Sequence, residues 1–175
     1  MVTSQPLEND VMKAIFERRS IRHFSDAPVD RKLIMEALRA ASWAPSGLNN
    51  QPWRFAVIRD ESIKEKLAGL TRYANSLRSA AVLIPVFLDR ESSYDNIKDN
   101  QAIGACIQNM LLAFHSMGVG ATWIGEILKN KEKVTQILEA PDRLELMAVI
   151  IVGDPAHRQQ TSHRRPLEEL IIFEK

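Results

Sequence analysis

The chain has 175 residues, of which 45% are hydrophobic, 26% are charged and 6% are aromatic, and its formal net charge is +1. We predict a single domain over residues 1–175, because this length and hydrophobic content suffice for one sizeable core. The first eight residues or so and the C-terminal tail are expected to be extended. The balanced charge and the few aromatic residues argue against nucleic acid or an anionic membrane as a partner.

Cysteine usage and the N-terminus both indicate a reducing compartment. Cys106 is the only cysteine, so the chain has no internal disulfide, and its apolar neighbours predict a buried structural thiol rather than a nucleophile. Residues 1–10 lack the basic and apolar regions of a signal peptide, and the longest apolar run, 80–88, is about half a membrane span. A cytoplasmic, soluble protein is therefore expected.

Periodicity predicts alternating helices and strands. A first helix, capped by Asn9 or Asp10, is expected to continue into segment 18–22 and to stop before Ser25; Asp30 caps the second. The rest of the pattern predicts strand 55–58, helices 61–70 and 72–80, strand 81–88, helix 96–117, strand 119–124, helix 131–138 and strand 144–152. This order is typical of an α+β layer fold.

Two of these elements have an unusual character. Segment 81–88 is continuously apolar, as in a buried strand, but Pro85 removes one ladder hydrogen bond, so the strand should be interrupted or paired on one side there. Helix 96–117 is apolar on almost every face. It is therefore expected to be buried in the domain or at a subunit interface.

Segment 44–53 (APSGLNNQPW) joins the second helix to the first strand. Two prolines and a glycine exclude a continuous helix or a central strand. Its polar groups are uncharged amides and hydroxyls, which suit a flat heteroaromatic ligand rich in carbonyls and ring nitrogens. An ordinary helix-to-strand connection is the alternative, and this segment alone does not exclude it.

Several common sites are not supported by the sequence. Neither a Gly-x-Gly-x-x-Gly nor a P-loop pattern follows a strand, so a Rossmann nucleotide site is not indicated. The four histidines and Cys106 lack zinc-like spacing, and we predict no metal site. The absence of Gly-x-Ser-x-Gly argues against a hydrolase nucleophile elbow.

Three segments remain as candidates for binding. Three arginines bracket Ser20 in segment 18–22; they can hold a phosphate dianion, or they can complement a helix dipole and stay solvated. Segment 163–165 is more typical of a surface charge run. Segment 118–126 contains three glycines that would let a ligand approach the backbone, although glycines near helix and strand ends are common.

Taken in order, four segments resemble motifs of the nitroreductase family of FMN-dependent oxidoreductases. Segment 18–22 (RRSIR) is similar to its N-terminal phosphate motif, and 44–53 is similar to its flavin loop, the most specific match. Segment 123–126 (WIGE) resembles the stretch that faces the flavin after the long helix, and 164–169 (RRPLEE) resembles the C-terminal ending. The resemblance covers roughly residues 15–172.

The resemblance implies a fold, a cofactor and a set of site residues. The fold is α+β, with a central mixed, mainly antiparallel sheet flanked by helices, in an intertwined homodimer with FMN sites at its interface. NADH or NADPH is the implied electron donor. The implied phosphate ligands are Arg18, Arg19, Ser20, Arg22 and Arg164.

The resemblance also implies which residues contact the rest of the flavin. The residues that reach it from the other subunit are Pro45, Ser46, Gly47 and Asn49, while Gln51 approaches its ring and Asn75 falls in the ribityl region. The segment that faces the flavin consists of Trp123, Ile124, Gly125 and Glu126, and the last three have backbone groups near N5.

The chain also departs from the family pattern. Ser162 stands where many members carry a second C-terminal cation, and Gly125-Glu126 reverses the order found in some members. The chain is shorter than many relatives in its middle part, which implies a more open substrate side.

The implied function is transfer of hydride from NAD(P)H through FMN to nitroaromatic, quinone or similar acceptors by a ping-pong mechanism. The chemistry belongs to the flavin, so no catalytic side chain is expected. A specialised flavin dehydrogenase or dehalogenase of the same fold, and a non-catalytic flavin-binding protein, stay open as alternatives.

Overall fold

A computed structural model of the protein describes residues 9–175, so the predicted extension of the first eight residues lies outside the described part. The helices are α1 (Asp10–Glu17), α2 (Arg31–Ser42), α3 (Glu61–Ala68), α4 (Ala74–Ser79), α5 (Asn96–Ser116) and α6 (Lys131–Ile137). The strands are β1 (Trp53–Phe55), β2 (Val82–Asp89), β3 (Gly120–Ile124) and β4 (Leu144–Gly153). Short 3-10 helices span Gly47–Asn49, Glu126–Asn130 and Leu167–Glu169.

The four strands form one sheet in the order β1-β2-β4-β3. All three pairings are antiparallel, so the predicted mainly antiparallel sheet is confirmed, without a parallel pair among residues 9–175. Every residue of β2 is buried, as its continuous apolar run predicted. This strand and β4 are the two inner strands of the sheet. Because helices cover both faces of the sheet, these two strands lie at the centre of the molecule.

The two faces of the sheet carry separate helical layers. On one face, Val82 and Ile84 of β2 pack with α2 and α5. On the other face, Leu83 and Phe87 pack with α3, α4 and α6. Alternation along the strand sends successive side chains to opposite faces, which is why one apolar run serves both cores.

Pro85 has the effect expected from its missing N–H. Its carbonyl accepts a hydrogen bond from the Ala56 N–H at 3.1 Å on the β1 side, and the same residue pairs with Val149 of β4 on the other side. The ladder with β1 stops at Phe55 and continues only as an isolated bridge between Ile58 and Leu83. The interruption thus falls on the edge-strand side, where the lost donor costs least.

Helix α5 is the longest helix, and one side of it is fully buried. Cys106 lies in this buried part, and burial raises the pKa of its thiol to about 12, as expected of a structural cysteine. None of the helices within residues 9–175 is long and apolar enough to cross a membrane.

The prediction that α1 continues through segment 18–22 is wrong. The helix ends at Glu17, and Arg18 is already extended, with φ −54° and ψ 129°. The reason is a tertiary contact: the Ile21 N–H donates to the Ala121 carbonyl of β3 at 3.1 Å, and the Ile21 carbonyl accepts from the Thr122 hydroxyl. Strand-like pairing with β3 therefore competes successfully with continuation of the helix.

Candidate functional site

A cleft of about 380 Å³ brings segment 18–22 together with residues 160–164, which are far away in the chain. One wall is the extended segment 18–22, and the other is the polar stretch that follows β4. Ile21 is buried, whereas Arg18, Arg19 and Ser20 are half-buried and Arg22 is exposed. The residues that line this arginine cleft are Arg18, Arg19, Ser20, Arg22, Gln160, Thr161, Ser162 and Arg164.

Two paired glycines allow the extended segment to lie against the sheet. Gly120 of β3 lies opposite Gly153 of β4, and a Cβ at Gly120 would come within 2.9 Å of the Ile21 side chain. A Cβ at Gly153 would come within 2.6 Å of the Phe24 ring. The segment crosses the sheet at the one pairing that has no side chains, which brings its arginines close to the residues after β4.

Backbone hydrogen bonds join the same two segments. The Ser25 N–H donates to the Asp154 carbonyl at 2.9 Å, and the Ala156 N–H donates to the His23 carbonyl at 3.1 Å. The rings of His23 and His157 stack with centroids 5.8 Å apart. The stretch that carries Arg164 is therefore attached to the arginine segment just before it reaches the cleft.

The cleft is crowded with positive charge. Burial, together with the nearby guanidinium groups of Arg164 and Arg19, lowers the pKa of Arg18 below its ordinary value. Like charges repel, and an anion bound between them would offset this repulsion by attracting both. Arg164, which the sequence alone favoured as a surface charge, thus acts on Arg18 directly.

Arg19 supports both interpretations of the N-terminal cluster. Its Nη1 donates to the carbonyls of Phe16 at 2.6 Å and Arg18 at 2.9 Å, so it satisfies the C-terminal end of α1, as the dipole interpretation predicts. Its Nε is buried and has no acceptor among residues 9–175. A buried guanidinium donor without a partner is a suitable ligand for an anion in the cleft.

Gln160 is a cleft residue that the sequence did not indicate. It belongs to the wall that follows β4, and its Oε1 is buried without a donor in the described part of the chain. Ser162, the departure from the family pattern, also lines the cleft and accepts a hydrogen bond from Arg164. No motif distinguishes Gln160, because a lone glutamine in a polar tail carries no pattern.

Segment 44–53 is a strained turn rather than a relaxed connection. Leu48, Asn49 and Gln51 have φ values of 55°, 54° and 46°, and they are three of the four non-glycine residues with positive φ in the described chain. Such conformations cost of order 1 kcal/mol or more each and cluster at functional sites. Asn49 and Gln51, two of these strained residues, are exposed to solvent.

A buried carboxylate holds the turn in place. Asp99, at the start of α5, accepts hydrogen bonds from the Asn50 side chain at 2.7 Å and from the Ser93 hydroxyl at 2.7 Å, and from the N–H groups of Tyr94 and Asp95. Burial acts to raise the pKa of Asp99, but these hydrogen bonds outweigh it and hold the pKa below its ordinary value. The charged form is thus the one that anchors the loop.

The loop lines its own groove of about 310 Å³ against α5. The groove shares no lining residue with the arginine cleft. Tyr94 covers Gly47 so closely that a Cβ there would lie 1.7 Å from the tyrosine oxygen. Pro45, Ser46 and Gly47 are therefore separate, within one protomer, from the arginines that are expected to hold the phosphate.

Segment 123–126 lies at the end of β3, where Trp123 is 42% exposed. The Glu126 carboxylate accepts from the Thr71 hydroxyl at 2.5 Å, from the Arg72 N–H at 3.2 Å and from Lys129. Hydrogen bonds from Lys129 and Thr71 lower its pKa to about 2. The Glu126 side chain therefore has a structural role. Its backbone N–H, in the first turn of a 3-10 helix, lacks an intrahelical acceptor.

Asn75 lies apart from both cavities. It is exposed on α4, and its side-chain oxygen accepts from Arg78 at 3.4 Å. Neither the arginine cleft nor the loop groove includes it. A ribityl contact for this residue stays a prediction.

Comparison with known proteins identifies the family. The profile of the nitroreductase family matches residues 15–76 and 70–154. A Methanothermobacter thermautotrophicus protein, assigned by name as an NADH dehydrogenase/NAD(P)H nitroreductase, is 35% identical over 156 residues, which cover 87% of this chain and 81% of the relative. A Desulfovibrio desulfuricans protein solved in complex with FMN is 48% identical, with a TM-score of 0.92 over 96% of this chain and 98% of that chain.

A further solved structure supports the fold alone. The NADPH:FMN oxidoreductase from Vibrio harveyi, solved with NAD+, has a TM-score of 0.87 at 21% identity, covering 95% of this chain and 78% of that chain. The predicted family resemblance and α+β fold are both confirmed. The arginine cleft, the strained loop and the segment after β3 are arranged on the fold of the nitroreductase family, and the chain belongs to this family.

Proposed function

We propose that this protein is an FMN-dependent NAD(P)H oxidoreductase that reduces nitroaromatic, quinone or similar acceptors. The observation that carries the proposal is the arginine cleft. FMN ends in a phosphate dianion, and Arg18, Arg22 and Arg164 meet around a space with no compensating carboxylate among its lining residues. The buried Nε of Arg19 and the hydroxyl of Ser20 complete a donor set suited to that group.

The remaining site residues bind and orient the flavin ring. Gln51 approaches the ring, Asn75 approaches the ribityl chain, and Trp123 lies beside the flavin. Backbone groups of Ile124, Gly125 and Glu126 lie near N5, and the Glu126 N–H, which has no intrahelical acceptor, is available to donate to it. When bound, FMN supplies the hydride chemistry. The protein needs no nucleophile, and the buried Cys106 thiol, with its pKa raised to about 12, stays protonated.

The partner subunit supplies the other wall of each site. Pro45, Ser46, Gly47 and Asn49 line or border a groove separate from the arginine cleft of their own chain, so we propose that they reach the FMN of a second protomer. Two sites are then formed at the interface of a homodimer.

Exposed apolar surface supports this dimer. Helix α1 buries none of its residues, although Val11, Ile15 and Phe16 form an apolar side. Trp43 is 82% exposed and lines a groove of about 450 Å³ between α1, the end of α2 and α5. In the tail, Ile172 is 94% exposed. Apolar surface of this kind marks a protein interface.

Flavin content and turnover test the function. We expect purified protein to bind FMN and to oxidise NADH or NADPH only when a quinone or nitroaromatic acceptor is present, with parallel lines in double-reciprocal plots. Each turnover on a nitro group takes hydride from NAD(P)H and a proton from solvent, breaks one N–O bond and releases the nitroso product and water. FMN-loaded protein without turnover would favour a flavin-binding role, and turnover restricted to one metabolite would favour a specialised dehydrogenase or dehalogenase.

Light scattering tests the dimer. We expect a dimer whose association Trp43→Glu weakens, with loss of FMN in proportion to the monomer formed. Val57→Glu places the same charge on another exposed apolar residue, outside the groove, and should leave the dimer intact. A flavin-replete, active monomer would contradict the shared site.

A further inference from the structure

The groove beside the loop has features that flavin binding does not explain. Its floor is the side of α5 that carries Ala102 and Ala105, and Pro45 and Gly47 form one wall. These two alanines are small side chains, so they leave room for a ligand on this side of α5. The Tyr94 ring, which lies against Gly47, and Lys98 also line the groove.

The dimensions suit a single aromatic ring with a substituent. Lys98 and Ala105 are seven residues apart on one helix, which places them about 10 Å apart along its axis. A ring that lies on Ala102 and Ala105 would therefore present a substituent to Lys98. The volume of about 310 Å³ is sufficient for such a molecule.

Lys98 is the one charged residue among the described residues that line this groove. Its Nζ lies over the Tyr94 ring, 5.2 Å from the centroid, and 3.8 Å from the Asp95 carboxylate. That ion pair is long, and Asp95 already accepts the Lys98 N–H at 3.0 Å as the N-cap of α5. The ammonium group is thus only loosely held and is able to pair with an incoming anion.

We propose that the loop groove binds the electron acceptor and that Lys98 determines its specificity, favouring a flat aromatic acceptor that carries an anionic substituent. The inference rests on the proposed function, because it assumes that Pro45, Ser46 and Gly47 border a flavin. Tyr94 contributes an aromatic surface at the mouth, and Lys98 pairs with the carboxylate or equivalent group of the acceptor. Gln101 adds an uncharged hydrogen-bonding group to the same side.

The electron donor is a second source of an anionic group, since NADPH carries a 2′-phosphate that NADH lacks. The two sources are distinguished by measuring them separately. If Lys98 pairs with the acceptor, its removal changes the preference between acceptors. It leaves the preference between NADPH and NADH unchanged.

Steady-state kinetics of the FMN-loaded protein test the proposal with para-nitrobenzoate and para-nitrobenzamide, which differ in charge but share the ring and the nitro group. We expect Lys98→Met to lower kcat/KM for nitrobenzoate about 3- to 10-fold, the effect of one partly exposed ion pair, without changing the value for nitrobenzamide. Lys98→Arg should retain the preference. Lys133→Met, the same change on α6 at the opposite face of the sheet, should have no effect.

Salt provides an independent readout, since the preference for nitrobenzoate should fall with ionic strength in the wild type and not in Lys98→Met. Equal loss of both acceptors, or a change only in the NADPH-to-NADH ratio, would overturn the assignment of Lys98. Turnover without any charge preference would overturn this inference alone. No turnover with either nitro compound would overturn this inference, and no turnover with a quinone either would overturn the proposed function as well.

Discussion

The arginine cleft and the loop 44–53 form opposite walls of the proposed site, and different forces hold them. The cleft joins segment 18–22 to residues 160–164, and like charges crowd around Arg18. The loop is local in sequence, strained at Leu48 and Asn49, and anchored by Asp99. Charge repulsion therefore opposes the arrangement of the cleft, whereas backbone strain opposes the conformation of the loop.

This difference predicts how each wall responds to change. A cleft of unpaired cations gains stability when an anion binds, so its variants should act mainly on FMN affinity. A loop anchored by a buried carboxylate gains its order from the fold, so its variants should act mainly on stability. Three variants test this contrast, and a fourth tests the segment after β3; they are ordered by expected effect.

The largest effect is expected from Arg18→Ala with Arg22→Ala. Each lost charge-assisted hydrogen bond removes about 1.5–3 kcal/mol, so the pair should lower FMN affinity about 100-fold or more. Flavin fluorescence titration measures the affinity. Arg31→Ala with Arg39→Ala, on exposed positions of α2, is the matched control. FMN retention by the cleft variant would refute the phosphate assignment.

Asp99→Asn should act on the loop through stability. The amide cannot accept all the hydrogen bonds that Asn50, Ser93 and the backbone donate to Asp99, so we expect a loss of about 2 kcal/mol in the free energy of unfolding. Urea denaturation of the apoprotein measures it. Asp142→Asn, at an exposed turn, should be neutral. An unchanged unfolding free energy would show that Asp99 does not anchor the loop.

Gly153→Ala should lower both the stability of the fold and the affinity for FMN. The added Cβ would meet the Phe24 ring at 2.6 Å and displace the segment that carries the arginines. We expect about 1–3 kcal/mol of destabilisation and weaker FMN binding, measured by thermal melts with and without FMN. Gly69→Ala adds a methyl with only ordinary contacts and should be tolerated. Equal behaviour of the two variants would contradict the role of the glycine pair.

The smallest effect is expected from Glu126→Gln, and it depends on pH. The pKa of Glu126 is lowered from 4.5 to about 2, so its contacts stabilise the fold fully above 4.5 and are lost as the pH falls towards 2. The difference in Tm between wild type and variant should therefore narrow with acidification. Exposed Glu132→Gln should show no such trend. A difference that widens towards acid would contradict this assignment.

Sequence patterns determined the order of the elements and the general nature of the site. Apolar periodicity predicted α2 to α6 and strands β2, β3 and β4 close to their observed positions because each element must bury one face, or two in the case of β2. The first strand was predicted at 55–58 but lies at Trp53–Phe55, and α1 ends at Glu17 rather than continuing through 18–22. The composition of segment 44–53 excluded a continuous helix or a central strand there, and the Pro85 interruption followed from a missing N–H. These features depend on the types and spacing of neighbouring residues, which can be read from the sequence.

Only the tertiary structure decided which distant groups meet. Helix α1 ends at Glu17 because β3 pairs with Ile21, and the paired Gly120 and Gly153 make that approach possible. Arg164 joins Arg18 and Gln160 enters the cleft, while Glu126 turns to Thr71 and Asp99 holds Asn50. Each of these contacts links residues far apart in the chain, and local propensity carries no information about such pairs.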